Sequence, residues 1–218
     1  MGLNYHKKYS YFLRVFSFVL FLLLGASIQV MDFKKVDPQK YLEIYNQNRA
    51  QTTKSELVDN IQYKIQYVPL ELKLIQLHKK GAMSESVYDQ YQFDKKKYVE
   101  FLFQISIPEF GGEFLKYESN ETSYNQRLDY YSFNLKDDIR IILDKSDTVL
   151  CSEFIFERNF GSSPNGSFIL GANISNKYKQ LTVIINDRVL AFQELKFNFS
   201  YQDFKKLPSL KKYNKWKK

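Results

Sequence analysis

Apolar and polar residues alternate along much of this chain. Ile61, Tyr63, Ile65 and Tyr67 are separated by Gln62, Lys64 and Gln66, the two-residue period of a half-buried strand. Val99, Phe101, Phe103, Ile105 and Ile107 repeat it until Pro108. Tyr131, Phe133 and Leu135 predict another strand face, and so do Ile139, Ile141 and Leu143. Val149 to Phe156, Ser167 to Ala172, and Leu195, Phe197 and Phe199 predict three more. Leu181 to Ile185 and Arg188 to Phe192 flank Asn186-Asp187, which predicts a short hairpin. The stretch from Gly111 to Arg127 reads as a long loop, and Asn159 to Gly166 as another.

Helical spacing is confined to the region before residue 97. Asp37-Pro38 supplies a cap and a first-turn proline for a helix carrying Tyr41, Leu42, Ile44 and Tyr45 to about Asn48. Thr52, Thr53 and Ser55 read as a break. Pro69 opens a second helix with Leu70, Leu74 and Leu77, for which Gly81 is the expected C-cap. A third starts at Ser84 or Ser86 and runs through Tyr88 and Tyr91 to about Lys96. The expectation is a mainly β fold with N-terminal helices, an antiparallel β-sandwich or a partly open barrel. Helices that do not alternate with strands argue against a doubly wound parallel sheet.

The N-terminus departs from these periods. His6, Lys7, Lys8 and Arg14 precede an apolar run from Val15 to Leu24 that ends on Gly25, Ala26 and Ser27, the form of a secretory signal. Cleavage after Ser27 removes residues 1–27. Retention leaves residues 15–31 as a membrane anchor of about 17 residues, the short limit for a span. Either way the positive flank predicts an extracytoplasmic body. The expected organisation is then a helical lead-in over 28–57, a β-rich domain over 58–204 with helices near 69–96, and a basic tail over 205–218.

Charge changes meaning once it is located. Of the net +8, three cations lie in the leader and seven in the last fourteen residues, leaving residues 28–204 with 22 cations against 24 anions. A body without a basic stripe excludes a nucleic-acid partner. The tail, with Trp216 among its lysines, is a candidate contact for anionic lipid or polymer. An apolar fraction of 44% with 19 Phe and 17 Tyr predicts a core built by burial, since the lone Cys151 cannot form an internal disulfide.

Catalytic sets are absent from the sequence pattern. After the leader His78 is the one imidazole, too few for a His-based zinc site and without a triad motif beside it. Cys151 sits among apolar residues, as a buried thiol does. Asp144 and Asp147 bracket a turn without a calcium-loop pattern. Glu153 and Glu157 share a strand face, but four strand residues span roughly 13 Å, too far for a glycosidase pair. No cofactor is expected. Tyr124, Tyr130 and Tyr131 are candidate aromatic platforms, and Arg158 a candidate contact.

The run Cys151-Ser-Glu-Phe-Ile-Phe-Glu157-Arg158-Asn159-Phe160-Gly161, with Pro164, Phe168 and Leu207-Pro208, resembles uncharacterised exported proteins of Bacteroidota. Many of these carry a lipid-bearing Cys where this chain has Ser27. The resemblance implies an envelope location and assigns no activity. Within the run, Phe160 is expected to pin the Glu157–Gly161 turn to the core. The sequence therefore predicts a non-enzymatic exported protein that binds an envelope protein or surface polysaccharide, or serves structurally. The expected contacts are Tyr124, Tyr130, Arg158 and Trp216, with membrane contact through an uncleaved N-terminus. The alternatives are a carbohydrate- or small-ligand-binding β-sandwich and a carboxylate-dependent hydrolase.

Overall fold

The computed structural model describes residues 35–78, 84–174 and 178–211. The chain divides into two units, 1–34 and 35–218, and every described residue lies in the second. The leader, Gly81 and Trp216 lie outside the described residues. Among the described residues no helix is long and apolar enough to cross a membrane.

The elements are β1 (Lys35–Val36), α1 (Pro38–Asn48), β2 (Thr53–Val58), β3 (Ile61–Tyr67), α2 (Leu70–Leu77), α3 (Glu85–Asp94) and β4 (Tyr98–Ser106). Then come α4 (Glu121–Asp129), β5 (Ile139–Leu143), β6 (Asp147–Leu150), β7 (Glu153–Glu157) and β8 (Gly166–Asn173). The last are β9 (Gln180–Asp187), β10 (Gln193–Ser200), α5 (Tyr201–Lys205) and β11 (Ser209–Leu210). The fold is mainly β, with three sheets and several helices, and the described strands close no barrel.

A five-stranded antiparallel sheet runs β2-β3-β4-β8-β7 and a four-stranded one β10-β9-β5-β6. Their apolar faces share one core, in which Phe101 meets Phe199 at 5.2 Å and Phe103 meets Phe197 at 6.4 Å between ring centroids. A second core joins α1, α2 and α3 to a two-residue parallel ladder of β1 with β11, through Tyr41, Tyr45, Ile75, Tyr88 and Leu210.

Local chemistry accounts for the boundaries. The Asp37 side chain accepts from the Lys40 N–H at 2.9 Å and Pro38 opens α1. The Ser84 side chain caps α3 through the Val87 N–H.

Five expectations need correction. Helices are not confined to the region before residue 97, because α4, a π-helical turn over Tyr130–Asn134 and a 3-10 turn over Leu135–Asp138 precede β5. Asn120 starts α4 with a reciprocal capping box to Ser123, so much of the expected loop is helical. Tyr131, Phe133 and Leu135 are no strand face: the adjacent Tyr130 and Tyr131 are both buried, and a strand would send neighbours to opposite sides. Thr53 to Val58 is a strand paired to β3 rather than a break. Val149 to Phe156 is two strands in different sheets, with Cys151-Ser152 crossing between them.

Candidate functional site

Strand register brings four loops to one end of the second unit. Gln62 near the start of β3 pairs with Ser106 at the end of β4. Ile105 pairs with Gly166 at the start of β8, and Ser167 with Glu157 at the end of β7. The Tyr63 hydroxyl donates to Asp187, the last residue of β9, at 2.8 Å. The β4–α4 segment, the β7–β8 loop, the β9–β10 turn and the π-helical turn therefore gather at one end.

Asp187 is the brace of that end. It is 1% exposed and accepts four hydrogen bonds: Tyr63 and Tyr131 hydroxyls on Oδ2, each 2.8 Å, and the Val189 and Leu190 N–H groups on Oδ1 at 2.9 and 3.0 Å. A buried carboxylate is tolerated when donors surround it in this way. Beside it the Tyr130 hydroxyl donates to Asp138 at 3.0 Å and accepts from the Arg188 N–H at 3.3 Å, while the Arg188 guanidinium pairs with Asp138. Burial first, and then the neighbouring carboxylates, hold the Tyr63 and Tyr131 phenols well above their ordinary range.

The β7–β8 loop is organised by Asn159. Its amide donates to the Ser163 and Asn165 carbonyls at 3.0 and 2.6 Å, and its side-chain oxygen accepts from the Gly161 N–H at 3.0 Å. This network holds Phe160 in solvent, with φ at 51° and the Arg158 guanidinium 4.7 Å from its ring centroid. The expectation that Phe160 pins the turn to the core fails, since it is 79% exposed. Phe192, at the end of the β9–β10 turn, repeats the arrangement with φ at 50° and 77% exposure. Phe133 and Phe110, from the neighbouring segments, are 73% and 43% exposed.

The expected contact residues separate. Tyr130 and Tyr131 are buried; the Tyr131 hydroxyl donates to Asp187 and the single Tyr130 proton lies between Asp138 and the Asn186 carbonyl, so neither presents a platform to solvent. Tyr124 is half-buried, its hydroxyl 3.5 Å from Glu113. Arg158 is exposed at the loop end, and Trp216 lies outside the described residues. The expected Asn186-Asp187 hairpin turn shifts to residues 188–192, because Asp187 continues the inward series of Leu181, Val183 and Ile185. That series was the signal in the sequence for a buried carboxylate.

Carboxylates do converge elsewhere, through a residue that sequence reasoning missed. Glu100, Gly171 and Glu153 form a cross-strand row on the outer face of the five-stranded sheet. The Tyr98 ring lies over Gly171 and its hydroxyl contacts both Glu153 and, at 3.1 Å, Glu100. Lys73 of α2 pairs with Glu100, which is 3% exposed. Burial and both carboxylates push the Tyr98 phenol up. The Tyr98 hydroxyl thus fills the space between the acids, where a hydrolase would hold the scissile oxygen or its water. Lys73, Glu100 and Glu157 line a groove of about 260 Å³ with Leu72, Leu102 and Ile169.

Other expected groups have structural partners. Cys151 is buried, and burial raises its thiol above the ordinary value of 9.0. Asp144 accepts from the Lys179 and Gln180 N–H groups at 2.8 and 2.9 Å, which lowers its carboxyl. Among the described residues no cluster of His, Cys, Asp and Glu has the grouping of a metal site.

No known family and no curated protein matches the chain. One solved structure is similar to it, a novel protein of unknown function from Burkholderia pseudomallei K96243, at 10% identity and a TM-score of 0.36 over 79% of this chain and 94% of that one.

Proposed function

We propose that this chain is an exported β-sandwich module of the cell envelope, with a helical layer near its termini, that binds a partner protein through the loop end. Phe160 and Phe192 carry the reading. Each is a bulky apolar residue on left-handed backbone, which costs roughly 1–2 kcal/mol for an L-residue, and each exposes most of its ring to water. Folding alone favours neither feature, and strain of this kind clusters where a surface is used. The hydrogen-bonded loops beneath them lower the ordering cost of association.

A protein partner fits better than a polysaccharide. Sugar platforms use rings with a polar tip, and here the Tyr63, Tyr130 and Tyr131 phenols are buried and Tyr124 is half-buried, whereas the most exposed rings, Phe160, Phe192 and Phe133, are phenylalanines. Export is supported by the basic segment, apolar run and small-residue exit of the first 27 residues.

Two measurements test the proposal. Fractionation with intact-mass analysis should find the protein in the envelope or the medium; a cytosolic pool would overturn export. Crosslinking in intact envelopes should then give a discrete protein adduct that the Phe160→Ser, Phe192→Ser double variant loses while keeping its Tm. An adduct unchanged in that variant would overturn the binding surface.

A further inference from the structure

The end that carries the β1–β11 ladder has a different chemistry. Lys35 pairs with Ser209 and Val36 with Leu210 in the parallel ladder, and the Lys211 N–H extends it by donating to the Val36 carbonyl at 2.9 Å. The folded unit is therefore entered and left side by side. Lys95 at the end of α3 donates to the Ser209 hydroxyl at 3.1 Å, which brings Lys96 to the same place. Lys206 stands three residues before Ser209.

Lys35, Lys96, Lys206 and Lys211 are all exposed, and none forms an ion pair among the described residues. Nearby acids are engaged: Asp37 caps α1, Asp203 caps α5 and pairs with Lys54, and Glu71 is buried in an ion pair with Lys95. Before Lys35 come Lys34 and the apolar leader, and after Lys211 come Lys212, Lys215, Trp216, Lys217 and Lys218.

We infer that the face around the terminal ladder is a docking surface for an anionic phospholipid bilayer, set opposite the loop end. Lysines near such a surface each add attraction that falls off within a Debye length. Exposed lysines on the folded unit complement anionic headgroups in charge, and the sequence supplies further lysines after Lys211. The inference rests on the envelope reading only for the bilayer to be within reach.

The test is sedimentation of the full chain with vesicles, read as the ratio of binding to phosphatidylglycerol-containing over pure phosphatidylcholine vesicles, so that any partitioning of the leader cancels. The expected ratio is more than about tenfold at low salt and falls towards one at high salt. Replacing Lys35, Lys96, Lys206 and Lys211 together by Gln should lower it several-fold with Tm unchanged. A ratio near one for the parent chain, or a four-Gln variant that binds like the parent, overturns the inference. So does a ratio abolished by changing Lys212, Lys215, Lys217 and Lys218 alone and untouched by the four-Gln change. A cytosolic pool in the fractionation experiment would overturn export without altering these ratios, so the two failures are distinguishable.

Discussion

At the loop end the carboxylates of Asp187 and Asp138 are buried and phenylalanines face water; at the terminal end Tyr41, Tyr45, Tyr88 and Tyr91 are buried and lysines face water. Both ends close a core, so the inversion is not a requirement of folding. Apolar rings in solvent and unpaired cations in solvent instead suit different neighbours. The loop end has backbone braced by side chains that hydrogen-bond to it, an arrangement that suits one partner shape. The terminal end has a two-residue ladder and long flexible lysines, which fit a fluid, charged surface with no fixed geometry.

The largest expected effect falls on the brace. Asp187→Ala leaves the Tyr63 and Tyr131 hydroxyls and two N–H groups without their acceptor, and should cost about 3–5 kcal/mol in urea unfolding. A loss under about 1 kcal/mol would mean the loop end is not braced as described. Gly171→Ala comes next, on the side of the terminal end. A Cβ there would overlap the Tyr98 hydroxyl, so the ring must leave the Glu100–Glu153 row, at about 1–3 kcal/mol. Vesicle binding by that variant should be unchanged, because the lysines of the ladder are not involved.

Alkaline titration separates the ends from the wall between them. The Cys151 thiol is raised by burial, so its contribution to stability is intact below the ordinary 9.0 and is lost as pH climbs towards the raised native value. Tyr63 and Tyr131 act in the same direction above their ordinary 10.0. Maleimide labelling of Cys151 should be slow in the parent and in the four-Gln variant, and faster in Asp187→Ala as the shared core loosens. The smallest change in stability is expected at the loop tips. Phe160→Ser and Phe192→Ser should each shift unfolding by no more than about 0.5 kcal/mol, and the double variant should lose the partner adduct nonetheless.

Much of this arrangement was legible in the sequence. Alternation predicts β3, β4, β5 and β10, the Ser167–Ala172 run predicts β8, and Asp37-Pro38 and a cap at Ser84 or Ser86 predict α1 and α3. The failures have physical causes. Asn120 followed three residues later by Ser123 is a capping signal inside a polar stretch with few apolar positions, and without an apolar period the pattern of α4 is that of a loop. A π-helical turn lets consecutive tyrosines point inward, which no two-residue period anticipates. Asn186-Asp187 looked like a turn because those residues favour turns, although counting from Leu181 places Asp187 inside. Glu100 became a site residue only through packing, when α2 laid Lys73 across the outer face of the sheet. The exposure of Phe160 and Phe192 was not legible at all, since apolar content alone predicts burial.

The two ends are proposed to meet different partners, protein at the loop end and lipid at the terminal end. A photoreactive phenylalanine analogue placed singly at positions 160, 192 and 206 of the full chain, and irradiated in intact envelopes, tests it most directly. Positions 160 and 192 should give a discrete protein adduct, and position 206 a phospholipid adduct without protein. Protein adducts from 206 with none from 160 and 192 would contradict it.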